Sequence, residues 1–384
     1  MQVSGNLLTG SWMQDFHTDM ASVSVISSAF FYSYVLMQIP AGMLFDRFGI
    51  KRVLQGASLV FLLGMILLLL SHHIGFAILA RLIMGAGAAF AFVSMVYVSS
   101  LWFRPSSFAM MVGLGEMIAM LGVALLEAIM PHLITRFGWR EVLQVLVGIA
   151  VLQVLLISFA LKNPQQHSLE TPRPRLSLWQ QLRAVIALKN IWCAGFFCCS
   201  VFGVVSIFAA LWGNKFIQVV YQQSYYGASS LLSLLLLGVA VGGPIIGYLN
   251  ERLMSYKALL LVNSGLLLLI SLVIGSGQLT LLGLSILIFI LGFLGSGYVL
   301  GFYVTQESTR VEIRGAGIGL CNAIALLGGG VFQPLTGLIL DYADKHLPLV
   351  HAYQLAMLIL PGVILLAFLG NLCIRLPRET GKNA

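Results

Sequence analysis

Three ionisable residues stand inside long apolar runs: Arg81, Glu116 and Glu127. A charge placed in hydrocarbon is costly and marks an ion or solute pathway by default. Glu116 and Glu127 are eleven residues apart, which at 100° per residue leaves them about 20° from eclipse on one helix face. A glutamic acid in such a setting is the natural proton carrier, because burial and a nearby cation pull its proton affinity in opposite directions. The competing role for Glu116 is that of a structural hydrogen bonder. Arg81 is expected about one turn from the outer end of its helix, where it approaches Glu127 on the neighbouring antiparallel helix; snorkelling to the interface is the alternative. Asn322 and Gln333 repeat the eleven-residue spacing further along, and Tyr34 and Gln38, at i and i+4, share one helix face. No nucleophile elbow, phosphate-binding glycine loop or metal-ligand spacing occurs, so no enzyme chemistry, cofactor or metal is expected.

Helices of lipid-spanning length must position these groups. The chain has 384 residues, 59% hydrophobic and 9% charged, with a mean hydropathy of +0.97. A soluble domain carries about 25% charged residues. This chain cannot cover a water-facing surface and must be solvated by lipid. Its net charge of +8 does not point to nucleic acid, because the basic residues lie in short loops without an aromatic-interleaved basic face. The five cysteines, Cys193, Cys198, Cys199, Cys321 and Cys373, all fall in apolar segments and read as small buried hydrophobes.

A span takes about 20 apolar residues. About eleven are legible, near 23–44, 53–72, 76–101, 109–130, 141–161, 190–213, 227–249, 256–275, 279–304, 315–340 and 352–375. The fold class is therefore all-α and polytopic. Residues 162–189, with Pro164, Pro172 and Pro174, read as a linker between an N-terminal half, 1–161, and a C-terminal half, 190–384. Alternating outward from the linker puts Arg47, Lys51, Arg52, Arg104, Lys162, Arg173, Arg175, Arg183, Lys189, Arg252, Lys257, Arg310, Arg314, Arg375, Arg378 and Lys382 on one side. The other side holds Arg136, Arg140, Lys215 and Lys345. By the positive-inside rule the linker and the C-terminus are cytoplasmic.

The halves repeat each other. At an offset of about 205, Gly42-Met-Leu-Phe-Asp46-Arg47 falls on Gly247-Tyr-Leu-Asn-Glu251-Arg252. At about 206, Gly113, Glu116, Gly122 and Glu127 fall on Gly319, Asn322, Gly328 and Gln333. Parallel halves of this kind are a transporter architecture, with solute held near the midplane.

The run Gly42-Met-Leu-Phe-Asp46-Arg47-Phe-Gly49-Ile-Lys51-Arg52 resembles the G-x-x-x-D-R-x-G-x-[RK]-[RK] signature of the major facilitator superfamily in full. Gly42 and Gly49 suit a tight turn and close backbone approach. Asp46 suits a neighbouring helix N-terminus, and Arg47 a carboxylate partner. Arg81-Leu-Ile-Met-Gly85-Ala-Gly87 is similar to the family's second signature, R-x-x-x-G-x-G. The resemblance implies two six-helix halves and a clamp that stabilises the outward-facing state. That clamp comprises Gly42, Asp46, Arg47, Gly49, Lys51 and Arg52, with Gly247, Glu251 and Arg252 repeating it. It also implies a cavity bordered by Tyr34, Gln38, Tyr97, Trp212, Tyr298, Tyr303, Asn322 and Gln333. The antiporter signature G-x-x-x-G-P-x-x-G-G is missing from its span, which speaks against drug efflux. No arginine lies within 190–213, where the family's organophosphate exchangers have one.

The stretches Tyr32 to Gly42 and Gly319 to Gly337 are similar to bacterial nutrient-uptake members near the anion:cation symporters and phagosomal nutrient transporters. This implies a monomer in the bacterial inner membrane, surrounded by lipid. Its partners would be protons and a small amino acid, nucleoside or organic anion. Two function classes stay open: a carrier, whether proton symporter, facilitated-diffusion or efflux protein, and a transport-incompetent relative serving as sensor or partner subunit. The first helix of a twelve-span count is represented only by Met1 to about Gln14, roughly 21 Å of helix against a core of about 30 Å. Its beginning is therefore expected to lie upstream of Met1.

Overall fold

The computed structural model describes residues 4–374 apart from 106, 162–175 and 253–254. Every regular element among them is helical. In order they are α1 (Ser4–Asp15), α2 (Met20–Leu36), α3 (Gln38–Phe48), α4 (Ile50–Leu69), α5 (Ile74–Trp102), α6 (Phe108–Phe137), α7 (Trp139–Ala160) and α8 (Leu178–Ile186). Then come α9 (Lys189–Ser206), a π-helical turn (Ile207–Trp212), α10 (Gly213–Val220), α11 (Tyr225–Arg252), α12 (Tyr256–Gly275) and α13 (Leu281–Gly295). After a 3-10 turn (Ser296–Tyr298) follow α14 (Val299–Ser308), a second 3-10 turn (Val311–Ile313), α15 (Arg314–Asp344), α16 (Leu349–Met357) and α17 (Ile359–Leu372). Among the described residues ten helices are long and apolar enough to cross a membrane, or eleven if the bent pair Ser22–Leu36 and Gln38–Phe48 is one span. The protein is an all-α polytopic membrane protein, as its composition requires. Helix α7 shows why lipid is the solvent: Val145, Ile149, Leu152, Leu156 and Phe159 all project outward.

The span read as 23–44 is broken by 45° rather than continuous. Pro40 has no N–H to give the Leu36 carbonyl, and its ring crowds that turn. The Gln38 side-chain amide instead donates to the Tyr34 carbonyl at 3.2 Å. The linker is also not wholly irregular. Its residues Ser177 and Gln180 cap each other's backbone N–H groups at 3.3 and 2.8 Å and start α8, a capping box that the sequence carries as Ser-x-x-Gln. Asp19 caps α2 through the Ser22 amide at 3.0 Å, and the bonds from Ser22 hold its carboxyl below the usual carboxylate range. Gly49, between α3 and α4, has φ +78°, a conformation that costs other residues strain.

The contacts divide the chain into two units. Unit 1 comprises 1–102, 121–182 and 311–319. Its core is Trp12, Ile26, Phe30, Met65, Leu68, Met84, Trp139 and neighbours. The second signature's glycines set its spacing. A side chain at Gly85 would run into the Phe30 carbonyl on α2, and one at Gly87 into Phe61 and Ala57 on α4. Small residues are what let membrane helices approach this closely. One end of the unit is closed by Asp15, which takes an ion pair from Arg140 and a 2.8 Å hydrogen bond from the Trp139 indole. Unit 2 comprises 103–120, 183–310 and 320–384, with Phe197, Phe208, Phe216 and Phe302 fully buried. Of the cysteines expected to be buried, Cys198, Cys199 and Cys321 are, Cys193 is half-buried, and Cys373, at the C-cap of α17, is exposed.

Candidate functional site

The first signature builds a latch inside unit 1. Asp46, in the last turn of α3, accepts hydrogen bonds from the backbone N–H groups of Gly315 and Ala316, both at 2.8 Å. These are the first N–H groups of α15, which no intrahelical carbonyl can satisfy and which carry the positive end of the helix dipole. The approach is possible because Gly42 and Gly315 lie backbone to backbone: a side chain on either would collide with the carbonyl of the other. Gly319, one turn on, abuts the Gln38 carbonyl in the same way. Tyr97 of α5 adds its hydroxyl to Asp46 and stacks on Phe45 with ring centroids 5.5 Å apart. Arg314 lies near the same carboxylate and donates to the Ser100 carbonyl at 3.2 Å. Tyr97, expected at a solute cavity, is thus engaged in the latch. Arg47 was expected to pair with a carboxylate. No ion pair of Arg47 occurs among the described residues, and its exposed guanidinium lies over Phe48, 5.3 Å from the ring centre.

Unit 2 repeats the glycine geometry. A side chain at Gly247 on α11 would strike Met110 and Ala109 on α6, and one at Gly113 would strike Gly243 and Pro244. The contacts Gly42–Gly315 and Gln38–Gly319 therefore have counterparts at the offsets the sequence repeat gives. The side chains of Glu251 and Arg252 lie outside the described residues, so their part in a second latch stands as an expectation.

Glu116 projects from α6 within unit 2, partly buried, and accepts a hydrogen bond from the Tyr298 hydroxyl. Tyr298 ends the 3-10 turn between α13 and α14 and packs edge-on against Phe302 at 6.1 Å. Asn322 is buried in α15, Tyr303 lies on α14, and Tyr34 stacks on Phe30 at 6.0 Å.

Arg81 is deeper than the sequence suggested. Helix α5 begins at Ile74, so Arg81 sits about two turns in rather than one. It is 1% exposed, which excludes snorkelling. Its Nε donates to the Ile26 carbonyl at 3.4 Å, and its guanidinium lies 4.6 Å from the centre of the Phe30 ring and 5.8 Å from that of Trp12. Aromatic faces stabilise a desolvated cation by about 2 kcal/mol or more. The Glu127 side chain is outside the described residues, so its approach to Arg81 stays an expectation.

The last two of the expected cavity residues, Trp212 and Gln333, meet at a break in the seventh span of the twelve-span count. Helix α9 widens into the π turn, where the Gly213 N–H bonds the Phe208 carbonyl five residues back. Gln333 of α15 holds both ends of the turn. Its side-chain amide donates to the Ser206 carbonyl at 3.1 Å and to the Ser206 hydroxyl at 2.8 Å, and its main-chain carbonyl accepts the Trp212 indole N–H at 3.0 Å. Such turns recur at functional sites. Gln333→Leu removes two neutral hydrogen bonds, together worth about 1–3 kcal/mol. The expected result is roughly tenfold faster amide hydrogen exchange across 207–213 with α9 unchanged, measured by mass spectrometry.

The profile of the Major Facilitator Superfamily matches residues 2–332 and again 223–384. The "Probable sulfoacetate transporter SauU" of Cupriavidus necator is 28% identical over 149 residues, 38% of this chain. In that match the chain spans about a third, 35%, of the relative's length. The "Probable galactarate/D-glucarate transporter GarP" of Escherichia coli (strain K12) is 22% identical over 374 residues, covering 88% of this chain and 82% of that one. Among solved structures, a variant of the E. coli fucose:proton symporter FucP superposes with a TM-score of 0.72 at 17% identity, over 96% of this chain and 95% of that one. That likeness is one of fold. The profile, by contrast, matches well over half of the chain, including residues 42–52 and 81–87, and on it the chain belongs to the Major Facilitator Superfamily.

Proposed function

We propose that this protein is a secondary carrier that takes up a small organic anion by alternating access, driven by protons. The residue ranges 1–161 and 190–384 are its two halves, joined by the cytoplasmic linker 162–189, and it works as a monomer in a bacterial inner membrane. What carries the reading is the latch at Asp46. Two charge-assisted hydrogen bonds and a glycine contact hold the first turn of α15 against α3. An alternating-access carrier needs a contact of this kind, one that fixes a closed end and can part without stripping apolar surface into water. Glu116, beside Tyr298, is the residue assigned to the proton. Organic anions are favoured over amino acids and nucleosides because two relatives are named for a sulfonate and for dicarboxylates.

Counterflow in proteoliposomes tests the reading. Loaded with unlabelled sulfoacetate or D-glucarate, vesicles carrying the protein are expected to draw in the labelled anion transiently, at least tenfold above empty vesicles. A pH gradient with the acid side outside the vesicle is then expected to drive accumulation; equilibration without accumulation identifies facilitated diffusion instead. No counterflow across a panel of carboxylates and sulfonates would leave a transport-incompetent sensor or partner subunit as the better description.

A further inference from the structure

A second polar feature lies within unit 2, apart from the latch and from Glu116. Helices α10 and α11 flank an open hollow of about 620 Å³, lined on its polar side by Asn214, Lys215, Gln218, Tyr225, Ser229 and Ser233. That volume is in the usual range for a small-molecule site, about 300–1,000 Å³. Its side chains form a chain of hydrogen bonds that runs along α10 and then over to α11. The Gln218 amide donates to Asn214 Oδ1, and Asn214 Nδ2 donates to Ser229 Oγ at 2.8 Å. Ser229 thus accepts from the chain, and its own proton remains to be given. Lys215 is exposed beside it and has no hydrogen bond or ion pair among the described residues. Buried neighbours Phe216 and Ile217 anchor α10, so Lys215 and Gln218 are held at the cavity rather than on a free loop. Among the residues that line the hollow, Lys215 is charged and none is an acid. With an ammonium as the charge in its lining the hollow disfavours a cation, whereas an anion finds that ammonium and a hydroxyl donor, the combination that makes strong charge-assisted bonds.

We infer that this hollow is a docking subsite for the carboxylate or sulfonate end of a small organic anion, with Lys215 as its counter-ion and Ser229 as its hydrogen-bond donor. The site stands immediately after the π turn, on the helix that the turn sets in place. It captures the anion ahead of the transport step, so it governs apparent affinity rather than turnover. The inference rests on the organic-anion reading for its ligand class, but not on transport for its test.

Reconstituted protein is treated with an amine-acylating succinimidyl ester, and modification of each lysine is followed by mass spectrometry. D-glucarate or sulfoacetate is expected to slow acylation of Lys215 at least threefold. The neutral polyol galactitol is expected to have no effect, and Lys345 serves as the unprotected reference. Equal acylation of Lys215 with and without anion, up to the highest concentration the vesicles tolerate, overturns the subsite whether or not the protein transports. Where counterflow is seen, Lys215→Gln is expected to raise KM about tenfold with kcat within twofold, and Lys215→Arg to restore it. An unchanged KM in Lys215→Gln likewise overturns it. Protection of Lys215 in a protein that shows no counterflow would support the subsite while removing the carrier reading.

Discussion

Glu116→Gln is expected to abolish proton-driven accumulation while leaving solute exchange within about twofold of the parent. Glutamine still offers a carbonyl to the Tyr298 hydroxyl, so the contact between α6 and the 3-10 turn before α14 survives. What it cannot do is load and release a proton. One proton carried per solute is worth about 1.36 kcal/mol per pH unit, or roughly tenfold accumulation. The variant is expected to show none. The matching position in the other half is the neutral Asn322, so removing the acid at 116 leaves no titrating group at either of the two equivalent sites. The measurement is uptake against a stepped pH gradient, paired with counterflow at equal pH. A variant whose uptake keeps its pH dependence would mean that the proton is carried elsewhere.

Asp46→Ala is expected to cost about a hundredfold in transport rate without loss of folded protein. Each hydrogen bond from a backbone N–H to the carboxylate contributes about 1.5–3 kcal/mol, and the helix-dipole interaction adds up to about 2. Alanine forfeits both and leaves the Gly315 and Ala316 N–H groups and the Tyr97 hydroxyl without this acceptor. Three or so kcal/mol is enough to move a balanced two-state equilibrium by about a hundredfold. Asp46→Asn is expected to fall between, because one of its two side-chain positions is an NH₂ facing a backbone N–H. Initial rates in proteoliposomes, normalised to reconstituted protein, decide the matter. Rates within twofold of the parent for Asp46→Ala would show that the latch does not govern the cycle.

The membrane class and most spans were legible because they depend on composition and length, which a sequence states directly. Asp46 at a helix N-terminus was legible as a chemical preference, but its partner was not: Gly315 is 269 residues away. The sequence repeat came closer to contact information, since Gly42, Gly113, Gly247 and Gly319, picked out by register, all lie at backbone contacts. Arg81 was marked as costly, yet its setting depends on Trp12 and Phe30 from two other helices, and nothing in an apolar run shows which aromatic faces inward. The bend at Met37 was present in the sequence as Pro40 and went unread. The π turn has no compositional trace, because Ile207–Trp212 would serve equally in an α-helix. Lys215 was counted only as one of four basic residues on its side; the cavity that gives it meaning is made by the folding of α10 against α11.

The reciprocal contact of Gly42 and Gly315 has a genetic consequence. When two large side chains meet, enlarging one is commonly rescued by shrinking the other. Here each position would strike the other's carbonyl, and both are already the smallest residue available. A screen for revertants of Gly315→Ala should therefore return true reversion, or changes elsewhere that shift the helices bodily, but no compensating substitution at position 42. The two sites can only be inherited as a pair.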